Sequence, residues 1–382
     1  MSDTIIYMDH AATTPVHPEV QEVMKPYMDD QYGNPSAIYR LAASAAKAVS
    51  LARTRTASVL GARPEEIYFT SGGSESDNWA LFSVCEARGF KDCHIITSRI
   101  EHHAVMNTCR RLERLGVRVT YLPVSETGLV DPAQVREAVC PETVLISVMY
   151  ANNEIGTIEP IAEIGEAARE KQVLFHTDAV QAVGHIPIDL MNLHVDMMSA
   201  SAHKLGGPKG VGMLYVRKGI QIYPFIHGGA QERGRRAGTL NVPGIVGFGE
   251  AMRIAGESMQ RSGEVTVKLR DRLTERLLNE IPGSRLNGAQ DTRLPGNVNI
   301  SFEGIEGETL LIMLDQAGIC ASGGSACSTG AIAPSHVLTA IGRSESEARG
   351  SVRFTLSDSN TPDEVDRVAD TVKEITERLR NI

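Results

Sequence analysis

Cysteine is scarce. The chain has six in 382 residues, Cys85, Cys93, Cys109, Cys140, Cys320 and Cys327, and no two form a CxxC pair. That argues against a disulfide framework and fits free thiols in a reducing cytosol, so a cytoplasmic location is expected. Zinc is also disfavoured: HExxH is absent, and His102 and His103 are adjacent, so they cannot share one helix face. No metal is expected. No run approaches the roughly 18 apolar residues of a spanning helix, and the opening MSDTIIYMDH does not read as a signal peptide. No membrane contact is therefore expected. Positive charge is not in excess: the formal charge of −9 argues against a general nucleic-acid-binding surface.

What is present is an ordinary globular composition, 42% apolar and 22% charged. The length suits two or three domains, or one large α/β unit with a satellite. Short apolar runs at 66–70, 94–98, 118–123, 144–149, 173–176, 196–199 and 211–216 read as seven strands. Amphipathic stretches at 74–87, 104–115, 131–139 and 161–171 read as helices between them. Such alternation predicts a largely parallel sheet covered on both faces. Ligands of such sheets sit at the carboxyl ends of strands. The pattern changes after about residue 243. One or two helices over 244–280, a strand at 297–302, a helix at 308–317, a small-residue segment at 321–330, a strand at 352–355 and a helix from Pro362 read as a smaller α+β domain.

Four places carry chemistry-bearing residues. Thr70-Ser71-Gly72-Gly73-Ser74-Glu75-Ser76-Asp77 follows a strand and opens a helix, where free N–H groups attract an anion such as phosphate. Ser74 with Asp77 has the spacing of a capping box, so an ordinary helix start is the plain alternative. Walker spacing and GxGxxG are both missing there, so neither an NTP nor a dinucleotide is indicated. Asp178, in His176-Thr177-Asp178-Ala179-Val180-Gln181, ends an apolar strand and would face the crevice, or else cap a helix. Lys204 follows Ser201-Ala202-His203 and precedes a glycine turn. A lysine held in a cleft can form a Schiff base with a carbonyl. These three sites together ask for a ligand with a phosphate, an aldehyde and a basic ring nitrogen, which describes pyridoxal phosphate. The fourth place is Cys320-Ala321-Ser322-Gly323-Gly324-Ser325-Ala326-Cys327, where Cys327 is flanked by small residues, as an accessible nucleophile needs. Cys320 reads as core.

With these motifs the chain resembles the pyridoxal-phosphate-dependent cysteine desulfurases of the NifS/IscS type. The likeness runs nearly end to end. It includes Asp9-His10-Ala11-Ala12-Thr13-Thr14, Tyr32-Gly33-Asn34-Pro35-Ser36, Glu101-His102, Asn152-Asn153-Glu154-Ile155-Gly156, Asp178-Ala179-Val180-Gln181, His203-Lys204, Arg236-Ala237-Gly238-Thr239, Gly324-Ser325-Ala326-Cys327 and Val352-Arg353-Phe354. The resemblance implies fold type I of the pyridoxal-phosphate transferases, with a mostly parallel seven-stranded sheet between helices in a large domain, residues 15–257. A small α+β domain would take residues 1–14 and 258–382 and carry the catalytic cysteine.

The resemblance also implies roles. Lys204 would bind the cofactor aldehyde and shuttle the Cα proton. Asp178 would pair with the ring nitrogen, Gln181 with the ring oxygen, and His102 would stack on the ring and handle the substrate thiol proton. Gly73, Ser74, Ser201 and His203 would hold the phosphate, with Thr239 reaching in from the other subunit of a homodimer. Asn153, Arg353 and Asn34 would bind the substrate, and Asn153 would also touch the cofactor. Cys327 would take sulfur from L-cysteine as a persulfide, leave alanine, and pass the sulfur to an acceptor protein such as an iron–sulfur scaffold or a tRNA-thiolation enzyme. Selenocysteine lyase, another lyase or aminotransferase of this fold, and an idle scaffold are the alternatives. The chain departs from the family at Tyr39, Gly323, Arg349 and Ser357-Asp358, away from the implied cofactor residues.

Overall fold

The computed structural model describes residues 5–323 and 334–381; Cys327 lies outside them. All seven expected strands form one sheet, in the order Ile67–Thr70, Gly212–Val216, Met197–Ser201, Leu174–Asp178, Thr143–Ser147, His94–Ser98, Arg118–Leu122. Of its six pairings, four are parallel and two antiparallel. Pairs among the five strands from Met197–Ser201 to Arg118–Leu122 are parallel, whereas Gly212–Val216 runs antiparallel to both its neighbours. The central strands are buried on both faces, which explains why they read as short unbroken apolar runs rather than alternating ones. Thr70, Ser98, Ser147, Asp178 and Ser201 end their strands along one edge.

A second, antiparallel sheet has the order Ser351–Thr355, Asn297–Phe302, Ser284–Leu286. Beside it Ile6–Tyr7 pairs in parallel with Ile319–Cys320. Ile6 and Met8 pack with Leu273, Ile300, Phe354 and Val368 in one apolar cluster, while Phe69, Ile146, Phe175, Met198 and Phe248 belong to another. A single helix, Val242–Glu280, spans both. Its Val242, Ile245, Val246, Phe248 and Met252 are buried in the first cluster, and Leu269, Leu273 and Leu277 in the second. At 39 residues it is roughly 58 Å long. The change of pattern near residue 243 is therefore the start of this helix.

Several local expectations need correction. The capping box at Ser74 does not form: the helix is Gly73–Glu86, its N-cap is Gly72, and no side chain caps it. Asp178 does not start a helix; it ends Leu174–Asp178, and its Oδ1 accepts the Val180 N–H at 2.9 Å in a turn. Cys320 is half-buried at an edge strand rather than in the core. Two long helices were not anticipated, Pro18–Met28 and Arg40–Val59, nor were the short ones Gln231–Gly234, His336–Ala340 and Glu345–Arg349. Arg40–Val59 buries mostly alanine (Ala42, Ala45, Ala52, Ala57), so its apolar stripe is too faint to see by hydropathy. No helix among the described residues is long and apolar enough to cross a membrane.

Candidate active site

The edge where the strands end forms a cleft of about 250 Å³. Lys204, Asp178, Gln181, His102, Gly73, Ser74, Asn153, Ser201, His203 and Arg353 all line it. They come from five different strand ends and from the second sheet. A larger groove of about 920 Å³ between Arg40–Val59 and Val242–Glu280 contains none of them. Convergent polar chemistry, not size, marks the site.

Lys204 closes a single 3-10 turn after Met197–Ser201. Its Nζ donates to the carbonyls of Ala11 at 2.6 Å and Ala12 at 2.9 Å, and its own carbonyl accepts from His185 Nε2 at 2.8 Å. Gln181 Nε2 donates to the same Ala11 carbonyl at 3.1 Å. His203 Nδ1 meets Thr13 Oγ1 at 3.1 Å, and burial holds its imidazole down at about 4, so it is neutral. Residues 9–14 thus form a wall of the cleft. Their motif is legible in the sequence, but nothing in it places them against a lysine some 190 positions later.

Asp178 is fully enclosed, and burial raises its pKa; His102, the Val180 N–H and Lys204 oppose that rise. His102 is the N-cap of His103–Glu113, and its Nδ1 accepts the Ala104 N–H at 3.1 Å. Burial lowers its pKa, and Lys204 adds to that while Asp178 opposes it. The ring is therefore neutral near pH 7, with Nε2 as its other hydrogen-bonding atom.

Arg353 is buried in Ser351–Thr355. It donates to Asp9 Oδ1 at 2.9 Å and to the Asn153 carbonyl at 2.8 Å, while its Nε has no acceptor. Asp9 was not anticipated as its partner. Glu75 was also missed: it accepts a two-pronged bond from Arg236, at 2.9 and 3.1 Å, and takes the Ser71 N–H at 2.9 Å. It thereby ties the glycine turn to the segment bearing Thr239. Thr239 itself is exposed and outside the cleft lining of one chain. Asn34 is likewise exposed, its Oδ1 accepting the Ser36 N–H at 3.0 Å.

The aminotransferase class-V family model matches residues 6–368. The chain belongs to that family. A cysteine desulfurase IscS from Methanosarcina thermophila is 55% identical over 377 residues, 99% of this chain and 93% of that protein. One of the same name from Clostridium botulinum is 50% identical over 379 residues, 99% and 96% of the two chains. Among solved structures, a NifS-like protein superposes with a TM-score of 0.92 at 41% identity, covering 97% of this chain and 99% of that one. A structure described as SspA in complex with cysteine has a TM-score of 0.82 at 42% identity, covering 92% and 99%.

Pyridoxal phosphate is the cofactor of this family, and the residues present suit it. A Cβ on Gly73 would fall 2.5 Å from Val180 Cγ2, so only glycine lets the helix start pack this close to the segment that follows Asp178. Free N–H groups at the start of Gly73–Glu86, with Ser74, Ser201 and neutral His203, form an anion cradle. An amine and a buried acid face the same space. The orphaned Arg353 Nε is a donor awaiting an acceptor, since buried polar groups are rarely left unpaired. Lysine at position 353 could not serve Asp9, Asn153 and a carboxylate together. Arg353→Lys is therefore expected to raise the KM for an amino-acid substrate roughly 30-fold, the worth of a charge-assisted bond of about 2 kcal/mol, with cofactor absorbance unchanged. Equal loss of cofactor would mean the arginine serves the fold instead.

Proposed function

We propose that this protein is a pyridoxal-phosphate-dependent cysteine desulfurase, which converts L-cysteine to L-alanine and retains the sulfur as a persulfide on Cys327. The observation that carries this reading is the meeting of Lys204, Asp178, His102 and Arg353 in one cleft with an anion cradle at its side. The cofactor supplies an aldehyde and a ring that accepts the charge developing at the substrate Cα. Arg353 and Asn153 hold the substrate carboxylate and so fix which Cα bond is presented. Lys204 takes the Cα proton and returns protons as alanine forms. Neutral His102 accepts the substrate thiol proton at Nε2. The Cys327 thiolate attacks the substrate sulfur; the new S–S bond forms as the C–S bond breaks, and its electron pair stays with the three-carbon product. The net change is L-cysteine and a thiol giving L-alanine and a persulfide.

The rest of the assignment is ours. The chain acts as a homodimer in which Thr239 of each subunit completes the other's phosphate cradle; the exposure of Thr239, off the cleft of its own chain, supports this. Asn34 is assigned to the substrate on the same grounds. The persulfide goes to an acceptor protein, an iron–sulfur scaffold or a tRNA-thiolation enzyme, in the cytoplasm; the resemblance to the NifS/IscS group supports that destination.

The test is alanine released from L-cysteine by the cofactor-loaded protein with a thiol reductant present. Catalytic alanine with matching sulfide is expected; cofactor absorbance without alanine, even after an iron–sulfur scaffold protein is added, overturns the reading. The pH profile is a second check. His102 works as a base, so activity is present above its pKa and lost as pH falls through it. Because burial depresses that pKa, the acid limb of kcat/KM should lie below the ordinary histidine value of about 6.5. His102→Gln should remove that limb and lower kcat about 100-fold. An unchanged limb in this variant would assign it to another group.

A further inference from the structure

Asp77 has no role in the mechanism above, yet it lines the same cleft and is fully buried in the second turn of Gly73–Glu86. Carboxylate oxygens of Asp77 and Asp178 and a ring nitrogen of His102 all lie within 4.8 Å of one another. Asp77 Oδ1 has no hydrogen-bond partner. His176 Nε2 lies 3.7 Å from it. That imidazole is already held by Ser147 at Nδ1, 2.9 Å, and by Ser199 at Nε2, 3.0 Å. Burial drives its pKa down to about 3, so it brings no positive charge. Glu101, also buried, adds a third carboxyl nearby.

Two enclosed carboxyls this close do not both ionise; one proton stays on the pair. Asp178 is the better anion, because it accepts the Val180 N–H and faces Lys204 and His102. Asp77 has only Ser199 in its favour, with burial, Asp178 and Glu101 against ionisation.

We propose that Asp77 is a positioning residue for the cofactor: it carries the proton of the buried pair, so that Asp178 alone holds the negative charge facing the ring nitrogen. This rests on the assignment of Asp178 to that nitrogen. Asp77 acts through Asp178 and touches no reacting atom. Asparagine keeps a neutral side chain of the same shape beside Asp178, whereas alanine leaves a void into which Asp178 can turn away from the ring nitrogen.

The test is cofactor binding to the apoprotein. Trp79, the only tryptophan, sits on the same helix and is fully buried, so its fluorescence reports binding without turnover. Each protein is titrated with pyridoxal phosphate and with an analogue in which carbon replaces the ring nitrogen. Wild type should prefer the natural cofactor. Asp178→Asn should abolish that preference. Asp77→Ala should weaken binding of the natural cofactor about tenfold and leave the analogue within about twofold, while Asp77→Asn keeps the wild-type pattern. If Asp77→Ala weakens both ligands equally, or Asp77→Asn behaves like alanine, Asp77 is only packing and the proposal fails. If Asp178→Asn retains the preference, the Asp178 assignment fails first, and the Asp77 proposal with it.

Discussion

Replacing Lys204 by alanine is expected to lower alanine production from L-cysteine by about 10⁴-fold or more, and to let the cofactor leave on gel filtration. Both effects come from one amine. In the proposed reaction this amine condenses with the aldehyde and moves the Cα proton. The scaffold should survive, because the backbone of Lys204 is held independently by His185 through its carbonyl. Lys204→Arg separates charge from chemistry. Arginine retains the positive charge toward the Ala11 and Ala12 carbonyls, but it does not give up its proton near neutrality. It should be as inactive as alanine. A Lys204→Arg variant with a tenth of wild-type turnover would remove Lys204 from the reaction.

Cys327→Ala should abolish persulfide formation and cut sulfide and alanine output about 10³-fold, while the cofactor spectrum and its response to L-cysteine persist. The two effects separate because the proposed mechanism uses Cys327 in the sulfur step alone. The described residues on either side of its segment are joined to the substrate end of the cleft. Ser322 exchanges backbone hydrogen bonds with Arg353, N–H to carbonyl in both directions, at 3.1 and 2.7 Å. Ser335 Oγ donates to the buried Glu154 carboxyl at 2.5 Å and caps the helix that follows. Full turnover by Cys327→Ala would favour another lyase or an aminotransferase over a desulfurase. Mass spectrometry of the wild-type protein after a single turnover should add 32 Da, one sulfur atom, to the peptide bearing Cys327 and to no other cysteine.

The strands of the large sheet were legible because they are buried on both faces, which leaves unbroken apolar runs bounded by turn residues. The residues proposed as reactive were legible for a related reason. A Lys, Asp or Gly-Gly placed directly after such a run has few structural excuses in a parallel sheet, where strand ends form the crevice. Partners that act across long sequence separations were not legible. Asp9 pairs with Arg353 across 344 positions, and Glu75 pairs with Arg236 across 161. Each reads alone as a solvated acid. The spacing of Asp77 from Ser74 fits a cap, the plain alternative; the N-cap falls two residues earlier, at Gly72, and Asp77 is buried.

The order of residues along the chain was enough to specify the sheet, the strand ends that carry Lys204, Asp178, His102 and the glycine turn, and the chemistry those groups ask for together. These depend on short-range patterns of burial and backbone freedom, which neighbouring residues determine. Tertiary structure decided which backbone closes over Lys204, which acid neutralises Arg353, and that a second carboxyl sits beside Asp178. Those arrangements follow from how the N-terminal strand docks on Ile319–Cys320 and how Gly73–Glu86 packs on the sheet. Packing of distant segments sets local charge and solvation, and no nearby sequence pattern encodes it.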